Sequence, residues 1–272
     1  PEEYPFETIL SASSGEEETG PDTVQLQGYY ISTTMLANGV DEVRQALQDA
    51  DGYNAVLIDV KSPLGNFYYS TDIADAQTAD ADISACDALI QELTETPDLI
   101  VVARVPAFSD PNFVAKHYSS ALTTTSGDLW MDERRCYWLR PDSIDAQSYL
   151  AAIALELDSL GFDEVLLDSF CYPTGGDTAA IANDDGDRAQ ILTDVAKSLR
   201  SCLPEGVALS VTYRGGGDLT LAQLADLFDR IYVPAADYDA VASQLGGQFD
   251  AATRLVSMTS QAAETGSYML VQ

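Results

Sequence analysis

Basic residues are scarce in this chain of 272 residues: 13 Lys and Arg stand against 44 Asp and Glu, leaving a formal net charge of −31. Such a charge repels phosphate backbones and anionic lipid headgroups, so nucleic acid is excluded as a partner. Histidine is scarcer still. His117 is the only one, so a three-histidine zinc site cannot be assembled within the chain, and a nucleophile triad would have to rest on that one residue. The four cysteines, Cys86, Cys136, Cys171 and Cys202, lack the short paired spacings of zinc sites and dithiol redox motifs. Buried free thiols are expected, and Cys136 with Cys171 is the one pairing worth testing as a disulfide. A glycine-rich phosphate loop is missing too. The run Arg214-Gly-Gly-Gly-Asp218 follows a strand but has neither the lysine nor the spacing that cradles phosphate, and reads as a flexible loop. No apolar run approaches the ~20 residues of a membrane-spanning helix, so no transmembrane segment is expected. Nothing calls for a metal or a cofactor.

What the chain does have is alternation. Eight apolar runs read as strands, at residues 24–33, 54–60, 99–105, 164–168, 207–212, 230–233, 254–258 and 268–271. Segments with helical spacing lie between them at 40–50, 83–94, 146–160, 187–202, 219–227 and 238–245. Strands alternating with helices imply a parallel sheet joined by right-handed crossovers, and a chain of this length suits one closed eight-stranded barrel. The predicted fold is α/β, a single (β/α)8 barrel of the TIM type over residues 24–272. Only a weakly helical stretch, 259–265, separates the last two strands, and none follows the eighth, so the barrel should be irregular at its C-terminal end. Residues 1–23 are acidic, polar and without apolar periodicity, as expected of a flexible tether. A signal or anchor segment removed from ahead of Pro1 would make that tether a membrane attachment, and the protein extracellular or anchored at a cell surface. Low Lys with abundant Asp also suits a salt-adapted cytoplasm, which is weighed below an acidic extracellular surface.

Three of the predicted strands end in charge. The second presents Asp59 and is followed by Lys61, the third presents Arg104, and the fourth delivers Asp168 shortly before Pro173. Strands buried on both faces read as near-continuous Val, Ile and Leu, so a charge at the end of one should pair or work. In barrels of this kind the reacting groups sit where strands run out into loops at the carboxyl face. Asp168 is the leading functional residue on that ground. Two roles stay open for the trio: an internal ion-pair network of Asp59, Arg104 and Asp168 under the loops, or contact with a ligand.

Aromatic residues gather in the long connection 106–142, which carries Phe108, Phe113, Tyr118, Tyr137 and both tryptophans, Trp130 and Trp138. A connection this long inside a compact domain usually has a function. Sugar rings lay apolar C–H faces on indole and phenol rings while their hydroxyls seek carboxylates, so acids beside aromatics favour a carbohydrate groove. The competing role for each ring is to pack the loop's own small core.

Several blocks in order carry a further signal: Gln27-Gly-Tyr-Tyr-Ile31, Ala55-Val-Leu-Ile-Asp-Val-Lys61 with Gly65-Asn66 and Tyr68, Ala103-Arg-Val105 with Phe108-Ser-Asp-Pro111, Trp130-Met-Asp132 with Trp138-Leu-Arg-Pro141, and Gly161-Phe-Asp-Glu-Val-Leu-Leu-Asp168 with Tyr172-Pro173. Together, over residues 27–173, they resemble a family of bacterial glycoside-hydrolase-like barrels. The resemblance implies an extracytoplasmic eight-stranded barrel acting on polysaccharide, with Asp59, Arg104 and Asp168 at its carboxyl face. There are departures. Relatives tend to end the fourth strand Asp-Tyr-Val-Arg-Phe-Pro, whereas Ser169, Phe170 and Cys171 follow Asp168 here and only Tyr172 and Pro173 keep the pattern. Thr212 stands where the fifth strand usually offers another acid, and the sixth strand lacks the aromatic-rich ending that relatives show.

Ordinary glycoside hydrolysis needs two carboxyl groups, one giving a proton to the leaving oxygen and the other attacking or activating water. Asp168 supplies the nucleophile or base. Asp59 and Asp237 are the candidates for the acid; Asp132 is a further candidate, and Glu164 a weaker one, at its strand's entry end and expected to point away from Asp168's face. Arg104, Lys61, Trp130, Trp138, Tyr172 and Asp132 form the expected substrate-binding set. Two functions follow: a glycoside hydrolase acting on a polysaccharide or cell-surface glycan, or a barrel without turnover that serves as a carbohydrate-binding or scaffolding module.

Overall fold

The computed structural model describes Pro21 and residues 23–50, 52–182, 184 and 186–271. The expected tether at 1–23 lies almost wholly outside the described residues. Thr23, at its edge, already meets the barrel, its hydroxyl 3.0 Å from that of Thr253. Eight parallel strands close into a barrel: β1 (Gln27–Ile31), β2 (Ala55–Asp59), β3 (Ile100–Pro106), β4 (Glu164–Asp168), β5 (Ala208–Thr212), β6 (Ile231–Pro234), β7 (Leu255–Thr259) and β8 (Ser267–Leu270). Each pairs with its neighbours in the sequence, and β1 closes on β8. This is a (β/α)8 TIM-type barrel.

Local chemistry explains where the helices start. Ser32 caps α1 (Thr33–Asn38), so the first strand stops earlier than its apolar run suggests. α2 (Val40–Asp49) follows at once, and Asp82 caps α3 (Ile83–Thr94). In the long connection Asp110 caps α4 (Pro111–Lys116), with proline at its first position, where a missing N–H costs nothing. Ser143 caps α5 (Ile144–Ser159) and Asp187 caps α6 (Arg188–Cys202). Thr220 and Gln223 form a capping box on α7 (Leu221–Leu227), which precedes α8 (Tyr238–Leu245) and the single turn α9 (Ala251–Arg254). Between β7 and β8 the chain makes bends and no helix, so the expected irregularity takes the form of a crossover without a helical layer. Among the described residues no helix is long and apolar enough to cross a membrane.

Two apolar clusters hold the sheet. Leu26, Ala55, Leu57, Val102, Leu166, Tyr232, Val256 and Met269 fill the barrel, and a larger cluster lies between strands and helices. Each fully buried Leu or Val side chain contributes roughly 1.5–3 kcal/mol. Glu164 corrects an expectation. Residues four apart on a strand share a face, so it points inward with Asp168, but from the opposite end of the barrel. There it is fully buried, salt-bridged to Arg230 and accepting a 2.8 Å hydrogen bond from Tyr232. It plugs the floor and is remote from the carboxyl face.

Candidate active site at the carboxyl face of the barrel

The register sets the site. Asp59 on β2 pairs with Arg104 on β3, and Pro106 on β3 pairs with Asp168 on β4. Two strand steps and a two-residue offset put the Asp59 and Asp168 Cα atoms about 12 Å apart, from the usual strand spacing and rise. Arg104 joins them. Its Nε donates to Asp59 Oδ1 at 2.6 Å and its Nη2 to Oδ2 at 2.9 Å, while the Tyr30 hydroxyl donates to Oδ2 at 2.6 Å. Burial works against the Arg104 charge, but Asp59, Tyr30 and Asp168 outweigh it and its pKa moves up. Burial also drives the Tyr30 hydroxyl upward, so it stays a donor. Both Asp59 oxygens are occupied by donors.

Asp168 stands in a different place. It lies on the wall of a cleft of about 300 Å³, with Asp132, Glu133, Trp138, Cys171, Thr212, Arg214 and Asp218 among the other lining residues. The chain turns sharply after it: Ser169 has φ +54°, a left-handed conformation that costs a non-glycine residue on the order of 1–3 kcal/mol and is commonest at functional sites. The Asp168 carbonyl accepts from Ala107 N at 2.7 Å, tying the ends of β3 and β4 together. In the cleft Arg214 Nη2 lies 3.2 Å from Asp168 Oδ1, so the cation facing this carboxylate comes from the end of β5. The Cys171 thiol is pushed up to about 12 by burial and by the nearby Asp218 and Asp168 charges. Thr212 Oγ1 is buried and has no hydrogen-bond partner among the described residues.

The wall opposite β4 and β5 is the hairpin-like stretch within the β3–α5 connection. Asp132 is its staple: Oδ1 accepts from Arg134 N and Cys136 N, both at 2.9 Å, and Oδ2 from Trp138 Nε1 at 3.1 Å. Trp130 is buried beneath, its Nε1 donating to the Asp177 carbonyl at 2.8 Å. Glu133 is exposed at the tip and accepts from Gly176 N at 3.3 Å. Asp218, from the loop after β5, accepts from Tyr172 N at 3.1 Å and sits 3.5 Å from Arg188.

Of the predicted residues, Asp168, Asp132 and Trp138 meet in the cleft, with Asp59 and Arg104 paired beside it. Four do not reach it. Lys61 is wholly buried, 2.7 Å from Asp110, its Nζ also donates to the Pro106 carbonyl, and it is absent from the cleft wall. Trp130 and Tyr172 are only about 2 % exposed and serve the loops' own packing. Asp237 is exposed and absent from the cleft wall. No disulfide joins any of the four cysteines, so the Cys136–Cys171 pairing does not occur. The sequence reading missed Glu133, Arg214 and Asp218. Arg214 carried a usable signal, since it directly follows a strand end, the criterion that selected Asp168.

The model of the family described as "Putative glycosyl hydrolase domain" matches residues 28–213, more than half of the chain. The chain belongs to this family. No curated protein matches it in sequence. Among solved structures it is similar to a hypothetical protein from Ruminiclostridium thermocellum, at 21 % identity and TM-score 0.56, over 72 % of this chain and 98 % of that one. It is also similar to an α-galactosidase from Thermus thermophilus, at 16 % and 0.56, over 78 % of this chain and 42 % of that enzyme. A third is Ega3 of Aspergillus fumigatus, in complex with galactosamine, at 11 % and 0.54, over 87 % and 78 %. At these identities the structures share the barrel fold, while the glycosyl hydrolase assignment rests on the family model.

Proposed function

We propose that this glycoside-hydrolase-like barrel cleaves a polysaccharide or cell-surface glycan, with Asp168 as the carboxylate that attacks the anomeric carbon or activates water beside it. One observation carries the reading: Asp168 ends β4 in the wall of an open cleft that Trp138 and further carboxylates also line. Arg214 Nη2 lies 3.2 Å from Asp168 Oδ1, and Arg104, paired with Asp59, sits on the neighbouring strand β3. Both Asp59 oxygens already accept from Arg104 and Tyr30, which leaves neither turned to a leaving group. An extracellular or surface-anchored setting accords with such a substrate.

A second reading is favoured by the Arg214–Asp168 ion pair. If that pair persists when glycan is bound, the carboxylate is blocked and the barrel only binds sugar. The discriminating experiment is release of reducing ends across a panel of glycans. Turnover on any member supports the hydrolase, whereas saturable binding with no product supports the binding module.

A further inference from the structure

Elimination within the cleft singles out one more group. Hydrolysis through Asp168 needs a proton donor for the leaving oxygen, and most nearby carboxyls are committed. Asp59 is clamped by Arg104 and Tyr30. Asp132 spends its oxygens on two backbone amides and an indole N–H. Asp218 faces Arg188 and the Tyr172 amide. Glu164 lies at the floor with Arg230. Glu133 remains. It lines the same cleft from the β3–α5 connection, and its one hydrogen bond among the described residues is a 3.3 Å contact from Gly176 N to Oε1. Its backbone is well placed, because the hairpin that bears it is pinned on both sides by Asp132 and closed by Arg135 at φ +63°.

The geometry points to Glu133 as the catalytic acid that partners Asp168, an assignment that rests on the hydrolase reading and names the residue that reading lacks. In the first step the glycosidic C–O bond breaks with its electron pair passing to the leaving oxygen, which takes the proton of the Glu133 carboxyl. The anomeric carbon gains an electron pair from Asp168, or from a water whose proton Asp168 accepts. With direct attack, water then breaks the glycosyl–Asp168 bond, giving its hydroxyl to the anomeric carbon and its other proton to the Glu133 carboxylate; with water as the nucleophile, the proton that Asp168 accepted returns through solvent to Glu133, so in both cases one glycosidic bond and one water are exchanged for two hydroxyls.

Leaving-group dependence separates this role from others, because a dinitrophenolate departs without protonation. The test compares wild type, Glu133→Gln and Asp168→Asn on a glycan that wild type hydrolyses and on the dinitrophenyl glycoside of the same sugar. Glutamine keeps the Gly176 contact, so the fold should hold; an unchanged melting curve checks that. Glu133→Gln should lose about 10²–10⁴-fold on the glycan, the usual worth of general acid catalysis, yet stay within about tenfold of wild type on the activated glycoside. Asp168→Asn should lose both. Equal losses of Glu133→Gln on the two substrates, or none, would overturn the assignment while leaving the hydrolase intact. A wild type inert on every substrate would overturn the hydrolase reading and Glu133's role with it.

Discussion

A lysine ammonium taken out of water is stable only when its charge is answered at close range. Lys61 meets that condition, with Asp110 at 2.7 Å and the Phe67 and Tyr149 ring centroids 5.8 and 5.4 Å from its Nζ. Lys61→Met should therefore leave Asp110 charged and unpaired, lowering stability by about 3–5 kcal/mol in urea unfolding, with glycan affinity of the folded fraction unchanged. An unchanged unfolding midpoint would show that the pair is not a strut. Cys171 makes a second residue-scale case. With its folded value near 12 and an unfolded thiol near 8.5, its contribution to stability is complete below the lower value and is lost as pH rises toward the upper. Iodoacetamide at pH 8 should label it over about 100-fold more slowly in the native protein than in the urea-unfolded chain; comparable rates would contradict that. Residue roles were only partly legible in the sequence. Strand-end position marked Asp168, Asp59 and Arg104, but whether a charged side chain reaches water depends on partners brought in from distant segments. Asp110, 49 positions after Lys61, decides that lysine's fate.

At the scale of elements, period and punctuation carried most of the fold. Continuous apolar runs gave all eight strands, because strands covered on both faces need no polar alternation. The short α4 was not anticipated, although Asp110-Pro111 is a strong start signal, since its sequence lay inside what read as a single long loop. Face assignment for Glu164 failed where position along the strand was mistaken for parity. Packing inside the barrel is equally invisible in the sequence. A Cβ on Gly28 would fall 2.0 Å from Met269 Sδ, so glycine leaves room there for the methionine that fills the barrel between β1 and β8. Gly28→Ala should cost on the order of 1–3 kcal/mol as an overpacked core site, and adding Met269→Ala should cost less than its effect in wild type, a coupling that a double-mutant cycle reads. Strictly additive losses would mean that the two residues do not compete for space.

For the whole molecule, a formal charge of −31 makes self-repulsion a standing term against the compact state. Salt should relieve it. The melting temperature is expected to rise between about 0.05 M and 1 M sodium chloride, as the screening length falls from over 10 Å to about 3 Å. A fall would show that surface ion pairs outweigh repulsion. That charge also leaves the cleft in an acidic surround, which suits neutral or cationic glycans over polyanionic ones. The central claim is that this barrel turns over glycan through Asp168. The most direct measurement is reducing-end release by Asp168→Asn, a change that keeps shape and removes charge, beside its melting curve. Loss of at least about 10³-fold in turnover, with folding and glycan binding retained, is the expected result, because the carboxylate acts as charge develops in the transition state. Wild-type turnover by the folded variant would contradict the account.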